Sequence, residues 1–156
     1  LEIIRDYDII VDGSDNFPTR YLVNDACVIS KKPLSHGGIF RFDGQAITII
    51  PGESACYRCL FPEPPPAGLV PSCQEAGILG AVAGVIGLIQ ANEVLKYILG
   101  MGNLLAGKLL VFNALDSTFR QVKVPRDLKC PVCSEHPTVT KLIDYQEFCS
   151  LKSKGG

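Results

Sequence analysis

The sequence predicts an α/β fold, in which an incomplete Rossmann-like sheet continues in antiparallel strands and carries a tetra-cysteine site. Three observations support this prediction: a strand-helix-strand pattern over residues 7–42, a hairpin signal at Asp43-Gly44, and two Cys-x-x-Cys pairs. The chain has 156 residues, of which 47% are hydrophobic. A domain of this size can bury a core without disulfide bonds, so the cysteines need another explanation.

The first elements form a β-α-β unit. Residues 7–12 are a β-branched run that is typical of a buried parallel strand. Asp15 or Asn16 can cap a helix that starts near Pro18 and ends about residue 31. Residues 34–42 then predict a second strand, and the crossover between two such strands is normally right-handed.

The next elements leave the parallel pattern. Asp43-Gly44 predicts a two-residue type I′ turn, which is followed by an antiparallel strand over residues 45–50. Residues 51–72 contain six prolines and predict a long irregular loop. A second antiparallel pair is expected over residues 108–113 and 119–124, and a short helix over residues 144–151.

A long helix is predicted from about Glu75 to Leu99. Its uncharged stretch, residues 76–92, has 17 residues and ends on polar side chains, whereas a membrane-spanning helix needs about 20 apolar residues. We therefore expect a buried helix and no membrane association. Its glycines are expected to pack against the sheet, although they could instead let another helix approach closely.

The charge balance argues against polyanionic partners. The chain has 15 Lys and Arg residues and 16 Asp and Glu residues, so its net charge is −1. Nucleic acids and anionic membranes bind to basic surfaces. We expect neither as a partner.

The cysteine pattern predicts a structural zinc site. Two residues between thiolates let both sulfur atoms face one ion, and the pairs Cys56/Cys59 and Cys130/Cys133 together supply a closed set of four ligands. Binding of structural zinc stabilises small folded peptides by about 10–16 kcal/mol. This exceeds the entropic cost of bringing the two cysteine pairs together, which is roughly 4 kcal/mol. The alternatives are a redox dithiol or four ordinary buried cysteines. The odd total of seven cysteines and the lack of a secretory leader favour a reducing, cytoplasmic setting.

Three further residues are candidates for chemistry. Asp15 follows the first strand, where α/β sheets bind their ligands, and its carboxylate can hold Mg2+ or merely cap the helix. Arg20 can pair with an aspartate, meet a phosphate or remain solvated. Cys73 precedes the predicted helix at Glu75, where a thiol becomes more nucleophilic, or it packs against the loop. His36 and His136 show no partner pattern, and no role is assigned to them.

Together, and in this order, five motifs resemble the carboxyl-terminal two thirds of the ThiF/MoeB/HesA family, the bacterial relatives of ubiquitin-activating enzymes. The resemblance covers about residues 1–136. The motifs are Val11-Asp-Gly-Ser-Asp-Asn16 with Arg20, Cys56-Tyr-Arg-Cys59-Leu60, Ser72-Cys73-Gln-Glu-Ala-Gly77, Gly84-Val-Ile-Gly87 and Cys130-Pro-Val-Cys133.

This resemblance implies an adenylyltransferase. Family members bind ATP and Mg2+ and adenylate the C-terminal glycine of a ubiquitin-like sulfur carrier of the MoaD/ThiS type, for molybdenum cofactor or thiamin biosynthesis. By motif, Asp15 resembles the aspartate that positions Mg-ATP and Arg20 the arginine beside it. The paired cysteines resemble the zinc ligands, and Cys73 resembles a cysteine that forms a thioester or acyl-disulfide in some members. Family members are usually homodimers.

The sequence also departs from the family pattern. In the family, the glycine-rich nucleotide loop lies before the strand with which this chain begins, and no Gly-x-Gly-x-x-Gly follows a predicted strand here. We therefore expect residues 1–136 to be an adenylyltransferase domain that lacks its nucleotide-loop part and is inactive alone. Residues 137–156 are expected to be a tail or a linker, similar to the linker that leads into a rhodanese domain. The alternative function is a non-enzymatic, zinc-clamped docking module for a carrier or partner subunit.

Overall fold

A computed structural model describes residues 1–65 and 77–150, which form a five-stranded mixed sheet with the strand order β1-β2-β3-β4-β5. The helices are α1 (Glu2–Arg5), α2 (Phe17–Ile29), α3 (Tyr57–Leu60), α4 (Gly80–Leu99) and α5 (Tyr145–Ser150). The strands are β1 (Ile10–Asp12), β2 (Leu34–Phe40), β3 (Asp43–Ile49), β4 (Lys108–Asn113) and β5 (Thr118–Lys123).

The predicted β-α-β unit is confirmed. Strands β1 and β2 pair in parallel, with Ile10 opposite Leu34. The Asn16 side chain accepts a hydrogen bond from the Thr19 backbone N–H at 2.9 Å, so Asn16 caps α2. Of the two residues that could cap this helix, the structure uses Asn16, and the Asp15 carboxylate stays available for another role.

The first hairpin is confirmed, but its turn lies two residues earlier than predicted. Phe40 pairs with Asp43, so Arg41 and Phe42 form the turn, and Arg41 has a φ of 54°. Gly44 lies within β3 instead. A Cβ atom at Gly44 would lie 2.5 Å from Cγ1 of Ile86 on α4. Gly44 is therefore required by helix packing, and the turn signal in the sequence was misleading.

Helix α4 covers one face of the sheet. Its buried residues are Val82, Ile86, Gln90 and Glu93, which recur every three or four positions along one side. By length and composition alone α4 is apolar enough to cross a membrane. One side of it packs on the sheet, but only 22% of its apolar stretch is buried, so the predicted burial holds for that side alone.

Two predictions about this helix are wrong. The helix begins at Gly80, since the three preceding residues, Gly77–Leu79, are not helical. The predicted first residue, Glu75, lies outside the described residues. A Cβ atom added to its own glycines at 80, 84 and 87 would have no neighbour within 4 Å, so they do not pack against the sheet. The packing glycines belong to the sheet itself, at Gly37 and Gly44.

The opposite face of the sheet carries the main core cluster. It joins Leu34, Ile47 and Ile49 of the sheet to α2 residues, to the paired cysteines and to Tyr145 of α5. The second antiparallel pair, β4 and β5, is confirmed, with Lys108 opposite Lys123. The helix predicted near the end of the chain is also confirmed as α5.

A substitution at Gly44 tests the packing explanation. Gly44→Ala places a methyl group against Ile86, and we expect the free energy of unfolding to fall by about 1–3 kcal/mol. Gly87→Ala is the matched control, because its Cβ enters open space and alanine favours a helix. It should leave stability unchanged or raise it by up to about 1 kcal/mol. Urea denaturation measures both; equal effects of the two substitutions would contradict the explanation.

Candidate functional site

Four thiols that are far apart in the sequence meet at one point. Cys56 and Cys59 belong to the segment of the short helix α3, and Cys130 and Cys133 lie in the loop after β5. The Cys56 and Cys130 sulfur atoms are 3.5 Å apart, and those of Cys59 and Cys133 are 3.4 Å apart. All four sulfur atoms lie within 4.8 Å of one another. The predicted cluster is confirmed, and its geometry can hold a metal ion.

Contacts within the cluster give the four thiols different pKa values. Interaction with the neighbouring thiols, with that of Cys130 above all, lowers the pKa of Cys59 and raises the pKa of Cys56. The backbone N–H of Asp127 also points at the Cys59 sulfur, at 3.4 Å, and favours its thiolate form. Without a cation, four close thiols cannot all ionise, because like charges repel. A bound divalent ion would hold them as thiolates.

Arg58, between the first two cysteines, ties the cluster to α2 and to the end of the chain. Its guanidinium donates to both carboxylate oxygens of Asp25, at 2.8–3.2 Å, and only 2% of its side chain is exposed. The Tyr145 hydroxyl donates to the same carboxylate at 2.9 Å, and the Phe148 ring covers the guanidinium at 4.5 Å. The segment after the cysteines thus packs over the ion pair of Arg58 and Asp25.

A pocket of about 400 Å³ lies beyond the carboxyl end of β1. Asp15 and Arg20, the two residues singled out in the sequence, both line it. Cys73, the third, lies outside the described residues. The other lining residues are Gly13, Ser14, Gly37, Gly38, Ile39, Ile78, Ile86 and Gln90.

The Asp15 carboxylate is exposed at the mouth of the pocket. Its Oδ1 accepts a hydrogen bond from the side-chain amide of Asn16 at 3.3 Å. Within residues 1–65 and 77–150, it forms no salt bridge with a cationic side chain. The carboxylate can therefore bind a cation supplied from solution.

Arg20 is fixed in orientation but not neutralised. Its Nε donates to the Ser14 carbonyl oxygen at 3.1 Å, and its guanidinium lies 5.5 Å from the centre of the Phe17 ring. Its Nη2 lies 3.6 Å from the position that a Cβ atom would take at Gly38. No carboxylate of the described part of the chain forms a salt bridge with it. The remaining guanidinium N–H groups can meet an anion in the pocket.

Asp12 and His36 form a buried pair that the sequence did not reveal. Nδ1 of His36 lies 2.7 Å from Oδ2 of Asp12, and the Ser14 backbone N–H donates to Oδ1 at 2.9 Å. Burial by itself would raise the pKa of Asp12, but the hydrogen bond and charge of His36 hold it below its ordinary value. No sequence pattern indicated this pair, because the two residues are 24 positions apart and meet only through the pairing of β1 with β2. The pair fixes the turn that carries Ser14 and Asp15.

Comparison with known sequences identifies close relatives. The ThiF family matches residues 1–132. A sulfur carrier protein adenylyltransferase from Thermus thermophilus is 54% identical over an alignment of 157 positions, which covers 97% of this chain and 58% of that protein. An adenylyltransferase and sulfurtransferase MOCS3 from Aedes aegypti is 50% identical over 154 residues, or 98% of this chain and 35% of that protein. The chain thus spans about three fifths of the first relative and one third of the second.

Solved structures share the fold at lower identity. Escherichia coli MccB, bound to MccA-N7isoASN, has a TM-score of 0.68 at 20% identity over 82% of this chain and 41% of that one. A heterocyclase in complex with substrate and cofactor has a TM-score of 0.68 at 16% identity, over 83% and 21% of the two chains. These likenesses establish a common architecture, and the predicted Rossmann-like class is confirmed.

The lowered pKa of Asp12 predicts a pH dependence of stability. Because this pKa lies below its ordinary value of 3.8, the ionised carboxylate stabilises the fold at neutral pH and this contribution disappears as the pH falls through the folded-state pKa. Between about pH 5 and about pH 3, the free energy of unfolding should fall less steeply in Asp12→Asn than in the parent protein. Urea titrations at several pH values measure this slope.

Asp6→Asn is the matched control, since the Asp6 side chain is 78% exposed. It should keep the parent slope. If both substitutions flatten the slope equally, the assignment to Asp12 is wrong.

Proposed function

The chain belongs to the ThiF family, and from this premise we propose that it is part of an adenylyltransferase that activates the C-terminal glycine of a ubiquitin-like sulfur carrier with ATP. One observation carries the proposal: Asp15 and Arg20, with no salt-bridge partner in the described residues, face one pocket at the carboxyl end of a parallel strand. The names of two relatives, a sulfur carrier protein adenylyltransferase and the adenylyltransferase MOCS3, support it.

The reaction needs charge neutralisation more than a strong base. A carboxylate oxygen of the carrier's terminal glycine attacks the α-phosphorus of ATP, the bond to the bridging oxygen breaks, and pyrophosphate leaves with that electron pair. The attacking carboxylate is already ionised at neutral pH, so no proton has to be removed from it. The developing charge is spread over phosphate oxygens. Positioned cations are therefore the main protein contribution.

Asp15 and Arg20 supply these functions. The Asp15 carboxylate is the ligand type that Mg2+ prefers, and when bound the ion neutralises phosphate charge. Arg20 presents guanidinium N–H groups that match phosphate oxygens in geometry. Its Nε is already committed to the Ser14 carbonyl, which orients the remaining donors before substrate arrives.

Cys73 acts after adenylation in this proposal. Its thiolate attacks the carbonyl carbon of the acyl-adenylate, a thioester forms, and AMP leaves. The family resemblance of its motif supports this role. The carrier is of the MoaD or ThiS type, and its thiolated product serves molybdenum cofactor or thiamin biosynthesis.

Zinc is the metal that best suits the four thiols. A tetrahedral site with zinc–sulfur bonds of about 2.3 Å has sulfur–sulfur edges of about 3.8 Å. The cluster has sulfur–sulfur distances of 3.4, 3.5 and 3.9 Å along three edges. Four protein ligands leave no open position, so the ion is structural. Thiols of this kind persist in a reducing compartment, which supports a cytoplasmic location.

A homodimer is the proposed assembly. The outer side of α4 exposes large apolar side chains that the described part of the chain leaves uncovered: Leu88 at 74%, Leu95 at 57%, Ile98 at 62% and Leu99 at 64%. Contiguous apolar surface of this kind normally marks an interface. A second copy of the chain that packs helix against helix would cover it.

A docking module without ATP chemistry is the alternative function. It is favoured by the four-thiol cluster, which needs no nucleotide to hold the two cysteine segments together. In that case the thiol cluster and the pocket would hold a carrier or partner subunit without activating it.

Substitution of Asp15 distinguishes the two functions. In the full-length protein, Asp15→Ala should reduce carrier-dependent pyrophosphate exchange at least about 100-fold, because phosphate charge is no longer neutralised. Carrier binding, measured by calorimetry without ATP, should change less than about twofold. Asp6→Ala serves as the control and should retain exchange. Undiminished exchange in Asp15→Ala would contradict the proposed role.

Metal removal tests the zinc proposal. The purified protein should contain one zinc ion per chain, and Cys133→Ser should lower the stability by several kcal/mol, because the closed ligand set is broken. Cys149→Ser is the control, since that thiol lies outside the cluster. Elemental analysis and thermal unfolding measure both effects. A metal-free protein as stable as the parent would refute the assignment.

A further inference from the structure

We infer that Gln90 is a specificity-determining residue of the pocket, whose side-chain oxygen accepts a hydrogen bond from a peptide N–H in the last two residues of the carrier's tail. This inference rests on the proposed function. It assigns to a residue of α4 the task of fixing how far the tail enters the pocket.

The Gln90 side chain is buried and its orientation is determined. Its Nε2 donates to the Asp12 carbonyl oxygen at 2.8 Å and to the Ser35 carbonyl oxygen at 3.0 Å. Two carbonyl acceptors require the NH2 group at this end of the amide. Only 6% of the residue is exposed, yet it lines the pocket.

The remaining polar atom of the Gln90 side chain, Oε1, is a hydrogen-bond acceptor. Both amide hydrogens are used to join β1 and β2, so Oε1 has the only hydrogen-bonding capacity that a ligand can use. No donor among residues 1–65 and 77–150 forms a hydrogen bond with Oε1 of Gln90. This oxygen belongs to a residue that lines the pocket, and the ligand group that complements it is an N–H donor. The same oxygen disfavours a phosphate or a carboxylate, whose oxygens repel it.

Two adjacent glycines of β2 leave room for the side chains of Gln90 and Arg20. A Cβ atom at Gly37 would lie 2.4 Å from Oε1 of Gln90, and a Cβ atom at Gly38 would lie 3.6 Å from Nη2 of Arg20. Consecutive strand residues face opposite sides of a sheet. Gln90 and Arg20 therefore approach the same stretch of β2 from its two sides, across positions that carry no side chain.

This arrangement divides the pocket by chemistry. Arg20 and Asp15 suit phosphates, a cation and the reacting carboxylate, whereas Gln90 shares its part of the pocket with the apolar side chains of Ile39, Ile78 and Ile86. A tail that ends in glycine has N–H groups but no side chains to clash with these walls. An N–H bound to Gln90 would hold the terminal carboxylate at a fixed reach towards Arg20.

A double-mutant cycle between enzyme and ligand tests the inference. The full-length protein is assayed by pyrophosphate exchange with a ubiquitin-like carrier that ends in Gly-Gly, made by semisynthesis. Two further carriers have an ester in place of the last or the penultimate peptide bond, which removes one N–H each. Each carrier is assayed with the parent protein, with Gln90→Met and with Ile86→Val, an apolar change in the same pocket.

In the parent protein, one of the two esters should lower kcat/KM about tenfold relative to the amide, as expected for one lost hydrogen bond. In Gln90→Met the same ester should lower it less than about twofold, because the acceptor is absent. In Ile86→Val the full ester penalty should remain. A loss of the same factor for amide and ester carriers in Gln90→Met would show a purely structural role and overturn the inference.

Two outcomes do not depend on how well Gln90→Met folds. If the parent protein exchanges pyrophosphate but neither ester lowers kcat/KM, the inference is wrong and the proposed function stands. If the parent protein shows no exchange with any diglycine carrier, the proposed function fails and the inference fails with it.

Discussion

The contact between four thiols from two distant segments, α3 and the loop after β5, is the constraint on which the rest of the site depends. It fixes α3, whose residues then contact α2. The Tyr57 backbone N–H donates to the Asn24 side chain at 2.8 Å, and Arg58 pairs with Asp25, which is fully buried. Helix α2 in turn begins next to Asp15 and carries Arg20. The cluster is thus connected to the pocket through α2, which buried polar contacts at Asn24 and Asp25 hold against α3 and which carries Arg20. An unpaired member of those buried contacts would be costly.

The pocket owes its form to the sheet beneath it. Gly37 and Gly44 let α4 lie close to the strands, and Gly38 leaves room for Arg20. The buried pair of Asp12 and His36 holds the turn after β1. Gln90 joins β1 and β2 from the other side. The strand ends are therefore fixed by packing and hydrogen bonds before any ligand arrives, which is the preorganisation that electrostatic catalysis requires.

The sequence predicted the features that are local or strongly patterned. The β-α-β unit, both antiparallel pairs and the four-thiol cluster were found because hydrophobic period and cysteine spacing are short-range signals. The turn assigned to Asp43-Gly44 was wrong. A glycine is suited both to a turn and to close packing, and the sequence does not distinguish the two. The close approach of Ile86 in the fold shows that Gly44 serves packing. The pairs Asp12/His36 and Asp25/Arg58 join residues that are 24 and 33 positions apart. No spacing rule connects such residues, so they emerge only from the fold.

We propose that one zinc ion joins the two cysteine pairs, and X-ray absorption at the zinc edge of the purified protein identifies the ligands of that ion. If the four thiols share the ion, its first shell holds four sulfur atoms at about 2.3 Å and no oxygen or nitrogen neighbour. A shell with two sulfur atoms and several light atoms would show that a single pair binds the metal and that the two pairs do not share one ion.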